Sequence, residues 1–180
     1  LWATGALAGF ALAGRMLAQG RDALRIAAMG LLTGIAAFST VIFAAPMASP
    51  AMFFAGACLI GLGGGLFAVS TLTAAMTLPT TGTAGHGLAL GAWGAAQATG
   101  AGLSIALGGG LRDIVNAQAL SGAWGQAVAT PATGYSFVYH IEIGLLFLTL
   151  AALGPLVRLA RHSNRRPQGA ARIGLADFPT

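Results

Sequence analysis

Few side chains in this sequence can do chemistry, and those that can sit inside apolar runs. His140 and Glu142 stand two residues apart in a hydrophobic stretch; Gln97 and Trp93 stand four apart in another. A neutral imidazole is a good axial ligand for the magnesium of a tetrapyrrole, and a hydrogen bond to a neighbouring helix would satisfy the same side chain. Two residues apart on a helix point in nearly opposite directions, so His140 and Glu142 need separate partners. Glu142 is expected either to be protonated or to pair with Arg112. Gln97 suits an interhelical hydrogen bond or a pigment contact, and Trp93 suits either stacking on a flat ring system or packing between helices. His86 reads as a capping or interfacial residue. No nucleotide-binding loop, zinc-ligand spacing or supported Ser/His/Asp set occurs, so the sequence offers no enzyme and no metal site.

The elements that hold these residues follow from composition. The chain has 180 residues, of which 56% are hydrophobic and only 7% charged, and its mean hydropathy is +0.79. Charged residues make up about a quarter of an ordinary soluble domain, so the pattern predicts an all-α integral membrane protein. About 20 apolar residues cross a bilayer. Spans are expected at residues 1–17, 26–45, 51–78, 85–107 and 136–159, within a transmembrane unit of residues 1–160. Residues 161–180 form a basic tail. The sequence starts at Leu1 inside an apolar run, which reads as a piece whose N-terminal part is missing. The single Cys58 lies in an apolar run and reads as a small packing residue.

Charge placement predicts topology. The net charge of +5 comes from arginine alone. Arg15, Arg21 and Arg25 flank the first connection, and Arg158 and Arg161 follow the last span. Four crossings separate the two groups, so both should face one side, the cytoplasm by arginine excess. The high pI therefore reflects membrane topology rather than nucleic-acid binding. The turn at 46–50 and the segment 109–135 would face the other side. That segment is too polar to span; it reads either as a flexible loop or as a short interfacial helix, with Leu111, Ile114, Val115 and Leu120 on one face. Trp124 and Tyr135 suit the headgroup level.

Glycine occurs 28 times, much of it inside the expected spans. In lipid, small residues let helix backbones approach closely. Gly61 and Gly65 are four apart, as are Gly87 and Gly91, and Gly94 and Gly102 extend a small-residue stripe. The fourth span is accordingly expected to be tightly surrounded by neighbours. The run at 63–65 could also loosen the third span, as in transporters.

Four strings, GLGGGLFAVSTLTAAM (61–76), GLALGAWGAAQATGAG (87–102), GGGLRD (108–113) and YSFVYHIEIGLLFLTL with GPLVR (135–158), resemble the PucC/LhaA group, the bacteriochlorophyll-delivery family of the major facilitator superfamily. The resemblance implies a twelve-helix, major-facilitator-like bundle of two halves, of which this chain supplies the last five helices. It implies an inner (intracytoplasmic) membrane protein of phototrophic bacteria that assembles light-harvesting complexes. Its partners would be membrane lipid, antenna polypeptides and its own N-terminal half, and bacteriochlorophyll would be the candidate cofactor or cargo. A secondary transporter of a small molecule such as a tetrapyrrole is the alternative. The loop bearing Arg15, Gly20 and Arg21 occupies the place of the superfamily's cytoplasmic loop motif but lacks the Asp expected before the second glycine, where Gln19 stands. That departure bears on whether the usual rocking cycle operates.

Overall fold

The computed structural model of the chain describes residues 1–77 and 83–164. Five helices make up the fold: α1 (Trp2–Ala18), α2 (Ala23–Ala44), α3 (Pro50–Met76), α4 (Thr83–Leu120) and α5 (Ala132–Asn164), with a single 3-10 turn at Gln126–Val128. No strand occurs among the described residues. Their ends follow from local chemistry. Asp22 caps α2 by accepting the Arg25 backbone N–H at 2.9 Å, and Ser49 caps α3 just before Pro50, which needs no hydrogen-bond acceptor for its nitrogen.

The core lies where α3 packs between α1 and α2. Ala13, Met16, Ile26 and Leu66 form one buried cluster, and Ala27, Leu31 and Leu153 form a second where α5 crosses α2. Close approach sets the α1–α3 contact. A Cβ on Gly61 would overlap the Trp2 carbonyl oxygen, and one on Gly65 would sit 2.6 Å from the Ala6 carbonyl oxygen. Only glycine permits that spacing, and the gain is dispersion contact that lipid tails cannot replace.

Three helices are long and apolar enough to cross a membrane: α2, α3 and residues Ala132–Arg158 of α5. This is a membrane protein. Two of the five expected spans fall outside that criterion. At 17 residues α1 is short, and α4 is diluted by glycine, alanine and polar residues.

The structure corrects two expectations about α4. It runs for 38 residues, about 57 Å at 1.5 Å per residue, so it continues through residues 108–120, where the sequence suggested a loop or a separate interfacial helix. The docked face also differs from the one read as apolar. Val115 and Ala119 are buried, whereas Ile114 and Leu120 are more than half exposed. The second correction concerns packing. A Cβ added at Gly87, Gly91, Gly94 or Gly102 would meet nothing within 4 Å beyond its own helix backbone, so within this chain α4 is not the tightly surrounded helix that its small residues suggested. Its neighbours are α5 and the second half of α3.

Arg15, Arg25 and Arg158 gather at one end of the bundle. Arg15 lies in the last turn of α1 and Arg25 in the first turn of α2. Arg158 lines a small cavity with Ala28, one turn along from Arg25. The side chain of Arg161, that of His86, and residues 165–180 of the basic tail lie outside the described residues.

Candidate functional site

At the opposite end, the start of α5 meets the end of α4 and the end of α2. The first turn of a helix leaves backbone N–H groups without partners. Here the Gly134 N–H donates to Asn116 Oδ1 at 2.8 Å, so a side chain of α4 caps α5. Gly134 is buried, and a Cβ there would stand 2.6 Å from that same Asn116 oxygen. One turn back on α4, Arg112 donates through NH1 to the Tyr135 hydroxyl at 2.9 Å and through NH2 to Asp113 Oδ1 at 2.6 Å. Its guanidinium carbon also stands 5.1 Å from the centre of the Tyr135 ring. The Asp113 and Tyr135 hydrogen bonds hold the guanidinium above its ordinary pKa, so Arg112 keeps its charge throughout the physiological range.

An aromatic column continues inward. The Tyr135 and Tyr139 rings are 6.3 Å apart, and Tyr139 and Phe38 of α2 are 5.5 Å apart and tilted. Beside this column lies a groove of about 620 Å3, walled by Val41, Ile42, Ala45 and Phe53 on one side and by Ala132, Ser136 and the two tyrosines on the other. Ala48, the one non-glycine residue at positive φ among those described (46°), sits at its lip in the α2–α3 turn. Tyr135 and Tyr139 are four apart and could have been read as one helical face. Phe38 could not be joined to them from sequence, because that pairing needs the α2–α5 contact.

The side chains singled out from sequence are not gathered into one site. His140 is exposed on α5. Its Nδ1 lies 2.7 Å from the Ser136 carbonyl oxygen. A carbonyl can only accept, so this contact calls for a proton on Nδ1, and in the neutral ring that tautomer leaves the Nε2 lone pair for another partner. Glu142 is half-buried. It lies one turn from Val138, which faces Gly108 of α4, and one turn from Leu146, which covers Gly34 of α2. The pairing of Glu142 with Arg112 does not form, because Arg112 is taken by Asp113 and Tyr135. Trp93 Nε1 donates to Thr71 Oγ1 of α3 at 3.2 Å, which ties α4 to its neighbour. Gln97 is exposed rather than buried against a neighbouring helix.

The profile of the family described as PUCC protein matches residues 1–161. The chain belongs to that family. Protein PucC of Cereibacter sphaeroides is 42% identical over 164 residues, covering 91% of this chain and 34% of that protein. A Rhodobacter capsulatus protein described as an uncharacterized protein in the puhA-bchM intergenic region is 53% identical over 180 residues, covering 99% of this chain and 37% of that protein. Protein PucC of the same organism is 41% identical, over 88% of this chain and 33% of that protein. The chain thus spans about a third of the length of the curated PucC relatives it matches. No solved structure matches it.

Proposed function

We propose that this chain is part of a light-harvesting assembly factor of a phototrophic bacterium, one that holds bacteriochlorophyll as cargo and presents it to antenna polypeptides. The observation that carries the reading is the family match along nearly the whole chain. The five helices would be the last five of a twelve-helix, major-facilitator-like bundle in the inner membrane. The arginine-rich end would be cytoplasmic, and the exposed small-residue face of α4 would be covered by the rest of the protein.

The local chemistry of His140 supports a pigment contact. A metal-ligating histidine usually donates its other ring N–H to a carbonyl or carboxylate, which fixes the tautomer and orients the ring. The Ser136 carbonyl does this for His140, and the residue faces outward from α5. Gly144 one turn on has nothing within 4 Å of it and leaves space beside the ring. The magnesium of a bound pigment would accept the Nε2 lone pair. Glu142, on another side of the helix, would not contribute. Trp93 is held by Thr71 and acts as a packing residue.

The test uses the full-length protein. His140→Leu is expected to leave insertion unchanged and to lower co-purified bacteriochlorophyll several-fold, with slower antenna assembly; Glu142→Gln should change pigment less. Equal pigment per protein in His140→Leu and wild type would remove His140 from the site.

A further inference from the structure

The groove beside the aromatic column has a polarity gradient. Its outer end carries the Ser49, Ser136 and Tyr135 hydroxyls, with Arg112 hydrogen-bonded to the last of these. Inward the walls become Val41, Ile42 and Phe53, and the Phe38–Tyr139 pair stands at the deep side. Its volume of about 620 Å3 falls inside the roughly 300–1,000 Å3 of small-molecule sites. The deep part offers a polar ligand only the Tyr139 hydroxyl. The outer part offers a cation at the level where the apolar stretch of α5 begins, since that stretch starts at Ala132.

We propose that this groove seats one acyl chain of an anionic membrane phospholipid, whose phosphate is held by Arg112. The donor inventory supports the headgroup contact. A guanidinium has five N–H donors. Three are used here: Nε and one on NH2 to Asp113, and one on NH1 to Tyr135. NH1 thus keeps a second N–H on the nitrogen already turned to the groove wall. Asp113 contacts Nε and NH2 rather than NH1, and its side chain is 67% exposed, so its carboxylate is screened and lies off the groove side. Charge-assisted contacts from arginine to phosphate are among the stronger hydrogen bonds, and the hydroxyls of Tyr135 and Ser136 can serve the ester oxygens. The lipid would bridge the α2–α3 turn and the α4–α5 junction, elements held to each other here mainly through α5. No imidazole lines the groove, which sets it apart from a site for the magnesium of a pigment. This proposal does not rest on the functional reading above.

The experiment is native mass spectrometry of the full-length protein, stripped of lipid in detergent and titrated with phosphatidylglycerol or with phosphatidylcholine. Wild type is expected to prefer phosphatidylglycerol about tenfold, the size of effect one charged headgroup contact can give. Arg112→Gln should abolish that preference while leaving phosphatidylcholine binding unchanged. Ala45→Trp should fill the groove and remove the first bound lipid of either kind; Ala132→Trp fills it from the α5 wall and gives the same reading if the first variant does not insert. A wild type without headgroup preference would overturn the proposal. So would a filled groove that still binds the first lipid, or one that loses bacteriochlorophyll and keeps its phospholipid.

Discussion

Helices α1 to α3 and helices α4 and α5 draw on similar residues and use them differently. In the first group most glycines are interface residues: Gly5, Gly9, Gly30, Gly61, Gly63 and Gly65 all face backbone atoms of a neighbouring helix at distances a Cβ could not share, while Gly14 and Gly64 face open space. In the second group, Gly87, Gly91, Gly94, Gly102 and Gly144 face open space. Here polar contacts join the packing: the Asn116 cap on Gly134, the Arg112–Tyr135 hydrogen bond and the Trp93–Thr71 hydrogen bond tie α4 down, while α5 also buries Leu153 against Ala27 and Leu31 of α2. Small residues are thus a licence for close packing, and whether it is used depends on whether a partner helix is in place.

The largest expected effect breaks the first group. Gly61→Leu puts a side chain into the Trp2 carbonyl, where only a backbone shift could make room. Overpacking of a fitted core costs about 1–3 kcal/mol, and a backbone collision should reach the upper end. The level of properly inserted protein should fall sharply. Gly91→Leu, whose Cβ would meet nothing within 4 Å beyond its own helix backbone, sharpens the comparison: expressed as residues 1–180 it should insert like wild type. Damage that appears only in the full-length protein would show that the rest of the protein covers the α4 stripe; equal damage in both contexts would contradict the packing described above.

Next comes the α4–α5 junction. Asn116→Leu removes the acceptor of the N–H of buried Gly134, and an unsatisfied group of that kind costs about 1–3 kcal/mol. Thermal unfolding of the full-length protein in detergent should show the loss, and amide exchange at Gly134 should quicken. Asn116→Asp keeps the acceptor and should restore slow exchange. Unchanged exchange in Asn116→Leu would mean that the cap is dispensable.

Much of this was legible in the sequence, and the exceptions share a cause. Apolar run length located α2 and α3 to within a few residues, because the need to satisfy every backbone group in lipid leaves helix as the available form. It failed at residues 108–120, where Arg112, Asp113 and Asn116 made the segment look like a loop. Those polar residues sit on a helix that simply continues with its backbone hydrogen bonds internal, and Arg112 and Asn116 tie it to α5. For the candidate residues, the single-residue reading of His140 allowed either ligand or hydrogen bond, and its contact with Ser136 on the same helix is compatible with both. The Arg112–Glu142 pairing, one of two expectations for Glu142, does not form: Arg112 bonds Asp113, adjacent in sequence, and Tyr135 across the junction. The groove was not legible at all, since its walls come from three segments whose meeting is a tertiary fact.

The smallest expected effect belongs to Trp93. Its indole N–H reaches Thr71 Oγ1 at 3.2 Å, a long bond, and Thr71 already donates to the Phe67 carbonyl of its own helix at 2.8 Å. Trp93→Phe therefore leaves no hydroxyl without a partner and removes only the interhelical bond. Side-chain hydrogen bonds between membrane helices average about 0.6 kcal/mol in double-mutant cycles, and Trp93 should follow that average. The measurement is a cycle of Trp93→Phe and Thr71→Val in the full-length protein, read by thermal unfolding. A coupling near that value leaves α4 held chiefly at its far end by Asn116 and Arg112, and keeps the contrast with α1 to α3 intact. A coupling above about 1.7 kcal/mol, the upper limit of such cycles, would make Trp93 an anchor for α4 and would move the second group closer to the first.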